Sequence, residues 1–349
     1  MLSRVASHLY WLSRYLERAE NMARILDVGQ SLALLSGRPG DERSVIEPLI
    51  ITDTLDAFRA TRAAATPENV ARFLAWDAGH PSSIANCLEA CRENARAVRG
   101  SITSEMWESI NDTWLQLQSK RRAGGQTVDA QFFDWVKERS HLFRGITFAT
   151  IRRDQPYHFI RLGTHIERAD NTARILSVKQ AAGSGAEADV VPPAVDSGPL
   201  GVAAAFDPGA VLAAQMPDAQ AAAESQAQDD IATYYSLSAV LRSVSAFEAY
   251  RDTYRDAVDA RRVAELLIFN PQLPRSLRFC LDEIESLLRQ LPPESGRPAM
   301  RLAATLQARL AYGDLAEVYA YGLYNFLERF LRDNVRLGEA VRAAYLELK

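Results

Sequence analysis

Apolar residues recur at intervals of three and four along most of the chain, and the strict apolar–polar alternation of half-buried strands is absent. The pattern is clearest from residue 3 to about residue 35, before turn residues at 37–40. Within this segment one helical stripe is formed by Leu12, Leu16, Ala19, Ala23 and Leu26. The pattern predicts an all-α protein, built as a helical bundle.

The same period predicts further helices between sites of turn and capping chemistry. Thr66 and Pro67 suit the N-cap and first turn of one helix, which Gly79 and Pro81 bring to an end. A loop is predicted at 121–125. The predicted helices after the first cover residues 44–65, 67–78, 82–99, 104–120, 128–153 and 234–257.

A segment of the first helix occurs twice. Residues 9–28 recur at 159–178, displaced by 150 without a gap, and ten of the twenty positions are identical. Several later positions recur with a displacement of 193, among them Val70 as Val263, Pro81 as Pro274 and Cys87 as Cys280. Repeats of this kind indicate that one structural unit is present twice. We therefore expect two pseudo-equivalent, internally duplicated halves, residues 1–155 and 156–349.

The two displacements differ by 43 residues, which is close to the length of a segment of unusual composition. Residues 181–230 are rich in Ala, Gly, Pro, Asp and Gln and poor in large apolar side chains. Such a composition cannot bury a core. We interpret this segment as a flexible insertion in the second half.

Composition excludes little but does narrow the class. A formal charge of −4 over 349 residues gives no reason to expect binding to nucleic acid or to an anionic membrane. No apolar run is long enough to span a bilayer, and the amino terminus lacks a signal-peptide core, so a cytoplasmic location is expected. The three cysteines, at positions 87, 91 and 280, are expected to be small buried core residues.

The repeated helix carries polar residues opposite its apolar stripe. We name two sets: the first polar strip, Glu17, Glu20, Asn21 and Arg24, and the second polar strip, Glu167, Asp170, Asn171 and Arg174. Arg18 and Arg168 lie at the edge of the apolar half, where a charge needs a partner from another helix or must extend to solvent.

Three interpretations of the strips remain open. They form solvated helix faces, a polar lock that fixes how the two halves dock, or a ligand site. Both copies keep the strip better than several neighbouring apolar positions, which favours one of the last two. The question that separates them from the first is whether the two strips face each other.

A third polar cluster is confined to the first half and is a second candidate site. Its members fall within a few turns around a helix break at Gly100: Asn94, Arg96, Arg99 and Glu105. A cluster without a full second copy is what a single functional site in a doubled scaffold would show. Ordinary salt bridging on a helix surface explains it equally well.

The sequence gives little sign of a metal or nucleotide site. Glu138 and His141 have the spacing of a ligand pair in di-iron bundles, but a second such pair is missing, and no metal is expected. No Gly-rich phosphate loop occurs, so no cofactor is expected either.

Taken together, YWLSRYLERAE at 10–20, PSSI at 81–84, RENAR at 92–96 and the later Gly163 with IERA at 166–169 resemble the bacterial alpha-E domain family. The resemblance implies an all-helical protein encoded beside, or fused to, a circularly permuted ATP-grasp protein. A transglutaminase-like peptidase, and sometimes a proteasome-related peptidase, belong to the same neighbourhood. It therefore implies a role in peptide or amide ligation, and it brings no established catalytic residues to transfer.

We accordingly expect a helical partner or accessory subunit of an ATP-grasp-type ligase in peptide or amide-bond metabolism. Two alternatives remain. One is a stand-alone amino- or acyl-transfer enzyme that uses the carboxylate, Arg and Asn clusters, and the other is a non-catalytic helical scaffold.

Overall fold

The computed structural model describes residues 1–35, 42–123, 128–184 and 231–347, and these ranges contain helices and no strand. The helices up to the predicted insertion are α1 (Ser3–Leu35), α2 (Glu42–Ile51), α3 (Leu55–Ala60), α4 (Pro67–Trp76), α5 (Ile84–Ala97), α6 (Ser104–Ala123), α7 (Ala130–Thr150) and α8 (Gln155–Ser184). Those after it are α9 (231–243), α10 (Phe247–Tyr254), α11 (Ala260–Phe269), α12 (Leu277–Arg289), α13 (Pro293–Tyr312), α14 (Leu315–Tyr321) and α15 (Leu323–Val341). The predicted all-α class is confirmed.

Two long helices, α1 and α8, pack against each other at the centre of the bundle. Helices α5 and α7 pack on α1, while α12 and α15 pack on α8. The apolar stripe of α1 is buried, as the sequence predicts, and so is the stripe of α8 that contains Leu162, Ile166 and Ala169. The inner faces of both helices therefore belong to one continuous core.

The predicted caps are present. The Thr66 hydroxyl accepts a hydrogen bond from Asn69 N at 3.2 Å, with Pro67 as the first residue of α4. Ser83 caps α5 in the same way. These contacts satisfy backbone N–H groups that the first helical turn leaves without partners.

Two of the predicted helices are wrong, because each breaks in two. The chain over 44–65 turns at Asp53 (φ 57°), and the chain over 234–257 turns at Ser245 (φ 54°). Just after each left-handed residue, a backbone N–H returns to a carbonyl five positions earlier, from Thr54 to Leu49 and from Ala246 to Leu241, both at 2.8 Å. This is the hydrogen bond of a Schellman C-cap. Neither turn contains the glycine that usually reveals such a cap in a sequence.

Other boundaries shift by a few residues. The helix predicted over 128–153 ends at Thr150, and α6 continues to Ala123, so that much of the loop predicted at 121–125 is helical. Of the predicted insertion at 181–230, the first four residues complete α8, and the rest lies outside the described residues.

All three cysteines are free and buried, which confirms their predicted place in the core. Across the described part of the chain, no helix combines the length and the apolar character that a membrane crossing requires.

Candidate functional site

One glutamate of each polar strip forms an ion pair across the contact between α1 and α8, with Arg168 or Arg18 of the other helix. Arg18 of α1 donates to Glu167 of α8, from Nε to Oε1 at 2.6 Å and from Nη2 to Oε2 at 3.1 Å. Arg168 of α8 donates from Nε to Oε1 of Glu17 on α1 at 2.9 Å. In each Glu-Arg dipeptide, the glutamate therefore accepts from an arginine of the other helix, and the arginine donates to a glutamate there.

Glu17 has two further arginine partners, one from α7 and one from the turn before α12. Arg144 on α7 donates to its Oε2 at 2.8 Å, and Arg275 lies 2.9 Å from its Oε1. Arg275 immediately precedes the N-cap of α12, and its carbonyl accepts a hydrogen bond from Thr172 of α8. Only 1% of the Glu17 side chain is exposed, so these arginines replace the water that the carboxylate loses on folding.

Glu20 lies beside Glu17 and shares two of its partners. Its Oε1 accepts from Arg275 Nη2 at 2.7 Å and from Arg24 Nη2 at 2.8 Å, and Arg144 Nη2 lies 2.5 Å from its Oε2. His141 Nε2 lies 3.5 Å from Oε1, at the more exposed edge of the cluster. Two adjacent buried carboxylates repel each other, and the surrounding guanidinium groups offset this repulsion.

The second polar strip is more simply paired. Glu167 accepts from Arg14 Nε at 2.7 Å in addition to its bonds from Arg18. Asp170 pairs with Arg174 one turn later on the same helix, at 2.7 Å. This pair does not cross to α1, so the exchange across the helix contact rests on the two Glu-Arg pairs.

The two asparagines of the strips are buried and only partly satisfied. Oδ1 of Asn21 accepts from Arg275 Nη1 at 2.7 Å, while Nδ2 of Asn21 and Nδ2 of Asn171 have no hydrogen-bond partner among the described residues. Buried amide donors without a partner are costly, and ordered water is the usual remedy.

The ion pairs keep the carboxylates charged. Burial alone would raise the pKa of Glu167, but the neighbouring charges of Arg18 and Arg14 outweigh burial and lower it to about 2. Burial would also raise the pKa of Glu17, but the charge of Arg168 outweighs it and holds that pKa below its ordinary value. At Glu20 burial is outweighed by the charge of Arg275, and the pKa lies well below its ordinary value. None of the three carries a proton near neutral pH.

Positive charge exceeds negative charge in this network. Its carboxylates are Glu17, Glu20 and Glu167, and the arginines that pair with them are Arg14, Arg18, Arg24, Arg144, Arg168 and Arg275. Most of these side chains are largely buried. Burying an excess of positive charge is energetically unfavourable, and this favours an anion nearby.

The third polar cluster is not assembled into one site. Asn94 contacts His8 of α1 at 2.8 Å, Arg96 pairs with Glu93 on its own helix, and Arg99 lies over the ring of Trp107. Glu105 is exposed. These side chains point to different neighbours, and surface salt bridging describes Arg96.

Sequence reasoning missed three arginines of the network: Arg14, Arg144 and Arg275. Arg275 occupies the variable position of the repeated Pro-x-Ser motif, where the first copy has Ser82. The arginine next to the helix N-cap, present in only one of the two motifs, could have indicated this role. Arg144 offered no comparable signal, because its role depends on how α7 packs on α1.

The fold and the network define a class: an all-helical protein with a buried, reciprocal ion-pair network at the crossing of its two central helices. The chain belongs to the Alpha-E family, described as a predicted alpha-helical domain with a conserved ER motif, and the match covers residues 1–346. Two of its Glu-Arg dipeptides, Glu17-Arg18 and Glu167-Arg168, make the reciprocal pairs described above.

Relatives in mycobacteria are considerably longer. The chain is 27% identical over 340 residues to the uncharacterized protein Mb2597 of Mycobacterium bovis, and 26% identical to the uncharacterized protein Rv2567 of Mycobacterium tuberculosis. In both cases 92% of this chain aligns, but it spans only about a third (34%) of the relative. No solved structure matches the chain.

Proposed function

We propose that this chain is a non-catalytic helical accessory subunit that acts with an ATP-grasp-type ligase in peptide or amide-bond metabolism. One observation supports the non-catalytic part above all: the buried carboxylates of both strips are held in ion pairs within the chain. A general acid must hold a proton near the working pH, and a useful base must have a pKa near it. A pKa of about 2 for Glu167 is far from that range.

The partner is proposed from the family. Alpha-E proteins occur beside or fused to circularly permuted ATP-grasp proteins, and the resemblance carries that association to this chain. The mycobacterial relatives are about three times its length, which is consistent with the domain working joined to other sequence. A transglutaminase-like peptidase is a further proposed partner from the same neighbourhood.

The alternatives make different demands on the strips. A stand-alone amino- or acyl-transfer enzyme would need two carboxylates whose pKa values are driven apart, whereas those of Glu17, Glu20 and Glu167 all move down. A scaffold without a partner uses the same ion pairs as the proposed subunit, so only a binding experiment separates these two.

Co-purification tests the proposal. The tagged chain is expressed with the untagged ATP-grasp protein encoded next to it, with and without ATP and amino acids. We expect the ATP-grasp protein to be retained. The control is an ATP-grasp protein from a distant locus, which should be lost on washing. Failure of the neighbouring protein to associate under every condition would overturn the proposed partnership.

We also propose that the chain is a duplicated unit, with halves 1–155 and 156–349. Both ends of α4 and α11 are 193 residues apart, as are the left-handed residues Arg62 and Arg255. The displacement of 150 relates the two reciprocal ion pairs to each other, since Glu17 corresponds to Glu167 and Arg18 to Arg168. If neither half buries its strip alone, the two halves expressed together as separate chains should form a soluble complex. Failure of the two co-expressed halves to associate would contradict this.

A further inference from the structure

A pocket opens beside Glu17, where α1, α7 and α8 meet. It offers about 30 Å³ of space, room for roughly two water-sized groups such as the two oxygens of a carboxylate. Arg144 of α7 and Arg161 of α8 both line it, together with the hydroxyl-bearing Thr147 and Thr164. The pocket therefore joins the buried network to the surface at the contact between the two central helices.

A difference between related positions of α1 and α8 explains why this space is open. The position 150 residues before Thr164 is Arg14, and the Arg14 guanidinium fills the matching place beside Glu167. There it lies 5.2 Å from the ring centroid of Trp11. On the Glu17 side the short Thr164 leaves that volume empty, and the cation that binds the carboxylate, Arg144, comes instead from α7.

The electrostatics of the pocket favour an anion. Its one lining carboxylate, Glu17, is already paired with three arginines, so a cationic ligand would have no free partner in it. Arg161 Nη2 pairs with Glu283 at 2.8 Å, whereas its Nε is buried and has no hydrogen-bond partner among the described residues. The surplus of arginine in the adjoining network raises the potential further.

The mouth of the pocket is aromatic. Phe148, 68% exposed, and Tyr157 both line it, and the guanidinium of Arg153 lies 4.2 and 4.3 Å from their ring centroids. An exposed phenylalanine beside a tyrosine offers a contact surface for an apolar or aromatic stem. A charged interior with an aromatic rim suits a ligand that has a charged end and an apolar body.

We propose that this pocket binds a carboxylate attached to an apolar or aromatic stem, with Arg161 as the group that donates to it and the charge of Arg144 close by. A planar carboxylate matches the fork of a guanidinium and needs less room than a tetrahedral phosphate. Binding requires only this chain, so it goes beyond the accessory role and can succeed or fail independently of any ATP-grasp partner.

The test is a titration of the full chain with three probes, in which ligand-observed NMR detects binding. They are 3-phenylpropionate, its neutral amide 3-phenylpropionamide, and inorganic phosphate. We expect the carboxylate to bind at least about tenfold more tightly than the amide, since a hydrogen-bonded charge pair is lost in the amide. Phosphate should bind more weakly than the carboxylate. Equal binding of carboxylate and amide, tighter binding of phosphate, or no binding of the carboxylate would overturn the proposal.

Variants locate the site. Arg161→Gln should weaken carboxylate binding about tenfold or more, and Thr164→Arg should abolish it by filling the pocket. The matched control is Arg152→Gln, because Arg152 is 87% exposed, pairs with Asp154 and does not line the pocket. Unchanged affinity in Arg161→Gln, or an equal loss in the control, would contradict the assignment. If Arg161→Gln fails to fold, the comparison of carboxylate with amide on the unaltered chain still decides.

Discussion

Gly163 of α8 lies against Ser13 of α1 so closely that a Cβ placed on Gly163 would be 2.3 Å from the Ser13 hydroxyl oxygen. The same Cβ would be 2.4 Å from the carbonyl oxygen of Tyr10. Positions 13 and 163 are related by the displacement of 150. The two central helices therefore approach closely at related positions, one turn before the reciprocal Glu-Arg pairs.

Gly163→Ala should destabilise the protein by about 2–4 kcal/mol, because the Tyr10 backbone cannot move aside without shifting α1. Urea unfolding followed by circular dichroism measures the change. The control is Gly145→Ala in α7, where a Cβ would meet nothing within 4 Å. That substitution should be neutral or stabilise by up to about 1 kcal/mol, through better helix propensity. Equal effects of the two substitutions would refute the close approach.

The three cysteines should not react with a thiol reagent while the protein is folded. Burial raises the pKa of Cys87 and of Cys280 to about 12 and also raises that of Cys91, so the reactive thiolate is scarce as well as shielded. In urea all three should react rapidly. Labelling of the native protein at the rate of free cysteine would contradict the packing of α5 and α12 described here.

His165 should make stability depend on pH between about 6.5 and 4. It is fully buried, and burial lowers its pKa from 6.5 to about 4. The unfolded chain therefore binds a proton that the folded chain excludes, and stability falls as the pH falls through this window, by about 3 kcal/mol in all. Below pH 4 both states are protonated, so the loss levels off.

His165→Gln should remove that part of the pH dependence. Since burial also lowers the pKa values of His80 and His158, both proteins should retain some slope, and the difference between their curves isolates the share of His165. Urea unfolding at intervals between pH 7 and 4 measures both curves. Parallel curves would show that His165 does not titrate as its burial requires.

The helices and the strips could be predicted from sequence because both depend on periodicity and on the repeat. The apolar stripe predicts α1 to its observed ends, and Thr66-Pro67 predicts the start of α4. The turns at Asp53 and Ser245 could not be predicted in this way, since each is a left-handed C-cap without glycine. Their stability comes from backbone hydrogen bonds that leave no sequence signature.

The partners of the strips were harder to predict than the strips themselves. A helical wheel shows that Glu17 and Arg18 are on neighbouring faces, but only tertiary packing shows that Arg18 reaches Glu167. Arg275 comes from a position 255 residues beyond Glu20. Single-sequence reasoning has no physical measure of such long-range contacts, and this is why the arginine surplus and the pocket emerge only from the structure.

The central claim is that the paired glutamates lock α1 to α8, and the stability of Glu17→Gln and Glu167→Gln tests it most directly. Each substitution leaves buried arginines unpaired and should cost about 3–5 kcal/mol in urea unfolding. The matched control is Glu93→Gln: Glu93 is 42% exposed and pairs with Arg92 and Arg96, so its loss should cost less than about 1 kcal/mol. If both glutamate variants keep the stability of the unaltered protein, the ion pairs do not hold α1 against α8, which contradicts this claim.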